Sequence, residues 1–173
     1  GLNYFPSNGS TSSNYSYLLF DVFQKMTLKS VDVKSTGNQD RTIIILDGSN
    51  QIIFEKTFNN FNTGVHTLEL NATIFPGNNY KIGLSPNSPV NLFRANSGAN
   101  FPYVIPGLLS ITKSMINPIN TSTQHYYYFF YWKVCDPLCE SQRTEVKIFT
   151  DGCENIQDLQ DIVIFPNPNA GIF

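Results

Sequence analysis

The chain has 173 residues, of which 41% are hydrophobic and 14% aromatic, enough to bury the core of one sandwich- or barrel-sized domain plus a short tail. Charged residues make up only 14% and the net charge is -2, without a run of Lys and Arg. These values exclude the basic surface that nucleic acids and anionic membranes require. No apolar run reaches about 18 residues, so we expect no membrane-spanning segment.

Short β-type segments separated by turn residues follow one another along the chain. Residues 1–17 are rich in Gly, Ser and Asn and are predicted to form an N-terminal arm, with a β-sandwich over 18–134. The predicted strands are 18–23, 27–33, 42–46, 51–58, 65–70, 80–84, 90–94, 108–113, 126–134, 144–149 and 162–165. Residues 97–107 are predicted to be a long loop.

The clearest hairpin surrounds Asp47-Gly48-Ser49-Asn50, because Gly and Asn tolerate positive φ between two apolar strands. No segment repeats its apolar residues with a helical period. Strands that recur at short intervals with turns between them are typical of antiparallel sandwiches. The sequence therefore predicts an all-β fold, an antiparallel β-sandwich of the jelly-roll type.

An aromatic segment, 126–132, forms the strongest predicted strand. In a regular strand Tyr127 and Tyr131 share one face, and Tyr126 and Trp132 share the other. One interpretation is a central strand whose outer face is covered by a loop or the tail. The other is an exposed aromatic platform for sugar rings or a neighbouring subunit, since Tyr combines apolar area with a polar group.

Polar and aromatic residues near the predicted loop 97–107 are candidates for ligand binding. An Arg and amide side chains beside an aromatic ring can orient sugar hydroxyls. The structural alternative is that Arg94 stacks on an aromatic ring or caps loop carbonyls, and His125 is expected to be a packed or edge residue. The candidate ligand-binding residues are Arg94, Asn96, Asn100, Tyr103, Tyr127 and Tyr131.

The chain has three cysteines, Cys135, Cys139 and Cys153. An odd number predicts one disulfide and one remaining thiol, and the sequence does not decide which two cysteines pair. Neither zinc nor another metal site is expected, because four zinc ligands are not found together. No local catalytic signature occurs, so we expect no enzyme activity. Some acidic residues are expected to be solvated turn residues, with a structural calcium ion as the alternative: Asp21, Asp40, Asp47 and Asp136.

The C-terminal residues carry a more specific pattern. Ile164-Phe165-Pro166-Asn167-Pro168, followed by Gly171 and Phe173, resembles the opening of the C-terminal sorting domain of type IX secretion substrates in Bacteroidetes. Only the start of such a domain is present, over 161–173. This resemblance implies export across the outer membrane, followed by release or surface attachment.

A second resemblance covers residues 18–134. It is carried by segments 20–22, 28–31, 47–48, 64–68, 76–80, 94–98 and 126–132, which are similar to jelly-roll modules found upstream of such sorting domains. Residues 139–143 resemble the linkers that follow these modules, so 135–160 is expected to be a Cys-containing strand and linker.

Together these features predict a secreted or outer-surface, non-catalytic binding or adhesion module whose partner is a polysaccharide or cell-surface glycan. The alternative is a subunit that assembles into a homo-oligomer, surface layer or filament. Its low charge and an open sheet edge favour strand addition, with the apolar segment 162–165 as the donor.

Overall fold

The computed structural model describes residues 1–116 and 119–136, which contain thirteen strands and no α-helix. No helix among these residues has the length and apolar character needed to span a membrane. The strands are β1 (Ser10–Ser12), β2 (Ser16–Val22), β3 (Met26–Ser35), β4 (Gln39–Leu46), β5 (Ile52–Phe61), β6 (Gly64–Ile74), β7 (Gly77–Leu84), β8 (Leu92–Ala95), β9 (Tyr103–Ile105), β10 (Leu109–Ile116), β11 (Asn120–Ser122), β12 (Tyr126–Tyr127) and β13 (Phe130–Cys135).

The strands form two antiparallel sheets that pack face to face, which confirms the predicted β-sandwich. The first sheet has the order β1-β8-β3-β13, with β12 also paired to β8 and β6 also paired to β3. The second has the order β11-β10-β2-β7-β4-β5, with β9 also paired to β10. Among the described strands, β5 therefore lies at one edge of the second sheet and pairs only with β4.

The core lies between the two sheets and follows the two-residue period of the strands. In β2 the side chains of Leu18, Phe20 and Val22 are buried in this core. In β3, Val31 and Val33 face them from the other sheet and have no exposed area. Alternation along paired strands therefore accounts for most of the apolar contact between the layers.

The predicted hairpin around the Asp-Gly turn is confirmed as β4 and β5. The Asp47 carboxylate accepts hydrogen bonds from the backbone N–H groups of Ser49 at 2.8 Å and Gln51 at 2.9 Å. Asn50 adopts a left-handed conformation with φ of 66°. Asp47 thus fixes the turn by satisfying donors that the strand ladder leaves unpaired.

The N-terminal residues differ from the predicted arm. Ser10–Ser12 pair with β8, and β2 begins at Ser16, inside the range 1–17 expected to be a loop. Leu2 is buried, and its carbonyl accepts a hydrogen bond from the Tyr131 N–H at 2.9 Å. The N-terminal segment is therefore held by residues that are distant in the chain. Its own polar composition does not reveal these contacts.

The aromatic segment also differs from the prediction of one continuous strand. Five consecutive residues, Tyr126–Phe130, have no exposed area, whereas a regular strand directs neighbouring side chains to opposite faces. The chain accommodates them by breaking into β12 and β13, with Tyr128 at φ 60° and Tyr131 at φ 49°. The expected shared face of Tyr127 and Tyr131 is therefore wrong, because the chain turns between them.

The loop predicted over 97–107 contains one short strand, β9, which pairs with β10. Its ladder is only three residues long, so its sequence carries too few residues to show alternation. The predicted strands 144–149 and 162–165, the segments 137–160 and 161–173, and Cys139 and Cys153 lie outside the described residues.

A buried cation ties β4 to the segment before β8. Arg41 has no exposed area, and burial lowers the pKa of its guanidinium. It donates to the Gln39 carbonyl at 3.1 Å and the Val90 carbonyl at 3.4 Å, and lies 5.2 Å from the ring centroid of Phe61. Backbone carbonyls and a ring face therefore replace part of the solvation this group loses.

The packing of side chains on the outer face of the second sheet can be tested at a glycine, Gly83. Gly83 pairs with Tyr17, and a Cβ atom at Gly83 would lie 2.3 Å from the Tyr17 ring. We expect Gly83→Ala to lower the free energy of unfolding by about 1–3 kcal/mol, because the ring must move away. The measurement is urea denaturation.

The matched control is Gly83→Ala in a Tyr17→Ser background, where the obstructing ring is absent. In that background Gly83→Ala should lower the free energy of unfolding much less, so the effects of the two substitutions should not be additive. An equal cost in both backgrounds would show that the ring is not the obstacle.

Candidate functional site

A cleft of about 270 Å³ opens between the two sheets, beside β9 and β13. Its exposed wall is about equally polar and apolar and comes from four parts of the chain. The volume is slightly below the roughly 300–1,000 Å³ of sites for drug-sized ligands, so it suits a single small ring. Its lining residues include Asn3, Tyr103, Val104, Ile105 and Trp132.

Tyr103 forms one aromatic wall and is held from three sides. Its hydroxyl accepts a hydrogen bond from the Asn100 N–H at 2.9 Å. Its ring contacts Phe101 edge-on at 5.3 Å and Tyr126 edge-on at 5.5 Å between centroids. Burial raises the pKa of the Tyr103 hydroxyl, which therefore stays protonated and available as a hydrogen-bond donor at neutral pH.

Trp132 forms the second aromatic wall and is also fixed. Its indole N–H donates to the Phe129 carbonyl at 2.8 Å, and its ring packs edge-on against Phe20 at 5.3 Å. The side chain is half-buried, so part of the ring remains available in the cleft. Two positioned aromatic rings are features that recognise a planar or ring-shaped apolar face.

The predicted site residues do not converge on one place. Arg94 lies over the Tyr127 ring, 5.3 Å from its centroid, and donates a hydrogen bond from Nη1 to the Tyr127 hydroxyl. This is the stacking arrangement expected in the structural alternative for Arg94. Tyr127 is fully buried, so its ring is no exposed platform.

The other candidates lie elsewhere. The Asn96 side chain, just after β8, accepts a hydrogen bond at 2.9 Å from the hydroxyl of Ser10 in β1. Asn100 acts through its backbone on Tyr103. Tyr131 is 37% exposed and contacts the Phe5 ring at 5.8 Å. Of the six predicted residues, only Tyr103 lines the cleft.

The cleft also contains three residues that the sequence analysis did not predict to bind a ligand: Trp132, Val104 and Ile105. Trp132 was assigned to the aromatic strand, and the two aliphatic residues fell inside a predicted loop. In the structure Val104 is 53% and Ile105 41% exposed. A sequence pattern does not reveal that exposure.

His125, expected to be a packed or edge residue, lies in a polar cluster with Arg94 and Tyr127. Its ring centroid is 6.1 Å from that of Tyr127, and its Nδ1 is 3.0 Å from the Ser122 hydroxyl oxygen. That oxygen accepts from the backbone N–H groups of Gln124 and His125, so its own hydrogen is directed to Nδ1. The neutral ring therefore carries its hydrogen on Nε2.

The acidic turn residues that were candidates for calcium act separately as acceptors for turn or loop donors. Asp21 accepts from the Asn79 N–H at 2.7 Å, and Asp40 from the Asn60 N–H at 2.9 Å. Asp136 accepts from the Gln24 side-chain amide at 3.1 Å. Within residues 1–116 and 119–136, no group of three His, Cys, Asp or Glu is placed to hold a metal ion.

The polar cluster makes a prediction about proton affinity. Burial is the main cause that lowers the pKa of His125 from 6.5, and the positive charge of Arg94 lowers it further. We expect Arg94→Gln to raise the His125 pKa, because a nearby cation no longer opposes protonation. The measurement is an NMR titration of the imidazole signals.

Lys34→Gln is the matched control, since it removes a cation that lies over the Phe93 ring instead. The His125 pKa should be unchanged in that variant. A pKa that moves equally in both variants would mean that Arg94 has no particular proximity to the imidazole.

Comparison with protein-family models finds no match to this chain. No curated protein is similar to it in sequence. No solved structure matches it either.

Proposed function

We propose that this protein is a secreted or outer-surface, non-catalytic module that binds a polysaccharide or cell-surface glycan. The observation that carries the proposal is the cleft between β9 and β13, with Tyr103 and Trp132 as its aromatic walls. Sugars present an apolar face of C–H groups and a rim of hydroxyls. The two aromatic rings of the cleft match the apolar face, and nearby polar groups match the hydroxyls.

The polar groups near the cleft support this proposal. Asn3 lines the cleft, and the Tyr103 hydroxyl remains protonated. The walls are already fixed by the hydrogen bonds and ring contacts of Tyr103 and Trp132. Such preorganisation reduces the entropy lost when a ligand binds. The low charge of the chain and its resemblance to exported proteins favour an extracellular setting.

A second candidate function is self-assembly by strand addition, favoured by the edge of β5 that no other described strand covers. This strand has ten residues, and Ile52 and Ile53 at its start are 56% and 45% exposed. An unpaired strand edge of this kind can accept a strand from a neighbouring copy.

One residue of β5 opposes that function. Lys56 pairs with Ile43, a fully buried core residue, so its side chain leaves the backbone on the inner face. Its ammonium group donates to the Glu69 carbonyl and lies 5.1 Å from the Phe58 ring centroid. An inward-facing charge on an edge strand is a device by which proteins discourage edge-to-edge pairing. We therefore favour glycan binding.

The cleft can be tested by filling it. Val104→Trp places a large ring in the opening, so binding to polysaccharides should fall at least tenfold because the ligand and the new side chain compete for the same volume. The measurement is a polysaccharide panel in affinity gel electrophoresis, followed by calorimetry with the polymers that retard the protein.

Val65→Trp is the matched control, since Val65 is 54% exposed on β6 and does not line the cleft. Binding should persist in this variant. Equal binding by both variants would place the ligand elsewhere, and a wild-type protein that no polymer retards would contradict the proposed function.

The edge of β5 gives a separate test of self-assembly. We expect Lys56→Val to increase concentration-dependent association, because it removes the inward charge from an edge that also exposes Ile52 and Ile53. Light scattering over a concentration series measures this effect. Lys29→Val changes an exposed lysine of β3 and is the control. A wild-type chain that already forms large assemblies would favour the second candidate function.

A further inference from the structure

The floor of the cleft is aliphatic and lies below its aromatic walls. Leu109 is 2% and Ile111 0% exposed, yet both line the cleft, so they form its deepest part. They are two residues apart on β10 and therefore share the inner face of the sheet. Val104 and Ile105 are about half exposed and lie at the opening instead.

The described residues of this floor offer no free hydrogen-bonding group. At Leu109 and Ile111, β10 is paired with β2 on one side and with β9 on the other, so the two ladders take up their backbone groups. Their side chains are pure hydrocarbon. The Tyr126 hydroxyl lies against Gly1 and has no exposed area, so it does not reach the cleft. A polar ligand group at the floor would therefore lose water without gaining a partner, which is costly.

The polar side chains of the cleft lie nearer its opening. Asn3 is exposed, and its side-chain amide supplies both a donor and an acceptor. Tyr103 is partly exposed, and its hydroxyl accepts from the Asn100 N–H, so its own hydrogen is free to donate. The Trp132 indole N–H is already engaged by the Phe129 carbonyl. The cleft thus changes from polar at its opening to apolar at its floor.

No described side chain of the lining carries a formal charge. Such a cleft gives a carboxylate or an ammonium group no counter-ion, although entry would remove part of the hydration of that group. The lining therefore selects a neutral ligand that has hydroxyl groups at one end and a hydrocarbon group at the other.

We infer that the cleft binds a neutral 6-deoxyhexose residue, with the methyl group of its exocyclic carbon against Leu109 and Ile111. This inference rests on the proposed function and names the class of sugar that the cleft selects. A 6-deoxyhexose carries a methyl group where an ordinary hexose carries a hydroxymethyl group. Its hydroxyl groups then remain near Asn3 and Tyr103, and its C–H face lies near Trp132. The volume of about 270 Å³ suits one such ring.

The test is an NMR titration of the whole chain with sugars that share one ring and differ only at the exocyclic carbon. D-quinovose carries a methyl group there, D-glucose a hydroxymethyl group and D-glucuronate a carboxylate. Two further pairs, L-fucose with L-galactose and L-rhamnose with L-mannose, repeat the comparison of methyl with hydroxymethyl in other ring configurations. The methyl signals of Leu109 and Ile111 report on the floor, and the Trp132 indole N–H signal reports on the wall.

We expect saturable shifts at all three reporter residues with the 6-deoxy sugars. In the pair that binds best, the 6-deoxy sugar should bind about tenfold more tightly than its hydroxymethyl counterpart, because only the methyl group gains contact at the floor without losing a hydrogen bond. D-glucuronate should bind more weakly than D-glucose.

Two variants of the floor form a matched pair. Ile111→Val and Ile111→Thr introduce side chains of nearly the same shape, which differ by one hydroxyl group. In Ile111→Thr the floor gains a hydrogen-bonding group, so the preference for the 6-deoxy sugar should fall severalfold. Ile111→Val should keep most of that preference. The comparison of sugars on the wild-type chain is decisive by itself if either variant folds poorly.

Failure of this inference is distinguishable from failure of the proposed function. If a hydroxymethyl sugar or D-glucuronate binds the cleft as tightly as the 6-deoxy sugar with the same ring, the inference is wrong and glycan binding stands. Shifts at Trp132 without shifts at Leu109 and Ile111 would also overturn it, because the substituent would not lie at the floor. If no sugar shifts any of these signals, the inference is wrong, and the polysaccharide panel decides the proposed function.

Discussion

The packing of five consecutive aromatic residues between the sheets is the constraint on which the rest of the fold depends. A regular strand can direct only alternate side chains to one layer, yet Tyr126–Phe130 are all fully buried. The chain meets this demand with left-handed residues at Tyr128 and Tyr131. Each costs about 1–2 kcal/mol, whereas burial of one large apolar side chain contributes about 1.5–3 kcal/mol, so burial outweighs the backbone cost.

The same packing determines what lies at each surface. Because β12 pairs with β8, Tyr127 supports Arg94, and because β13 pairs with β3, Trp132 is directed to the cleft. Tyr126 lies between these two places and contacts Tyr103 on the cleft side. One aromatic segment thus builds both the cleft and the polar cluster, although neither appears in its sequence as a motif.

The sequence predicted the fold better than the site. Alternation and turn residues located the long strands and the Asp47 hairpin, because these depend on neighbours in the chain. The three-residue strands β1, β9 and β11 were missed. The partner of β1 is β8, far away in the chain, whereas β9 and β11 form short hairpins with β10 and have too few residues to show alternation. The site was missed for a different reason: the face of Tyr127 depends on a backbone reversal at the next residue, Tyr128, and an aromatic side chain gives no local sign of positive φ.

The position of the N-terminal segment has a consequence for how the binding surface forms during folding. Asn3 lines the cleft together with Trp132, so one wall comes from the start of the chain and another from β13. Contacts between such distant residues require the closure of long loops and form slowly. β13 itself pairs with β3 across a similar separation, so a nascent or partly refolded chain has no complete cleft until this last described strand and the N-terminal segment are both in place. Ligand binding would then report that folding has finished.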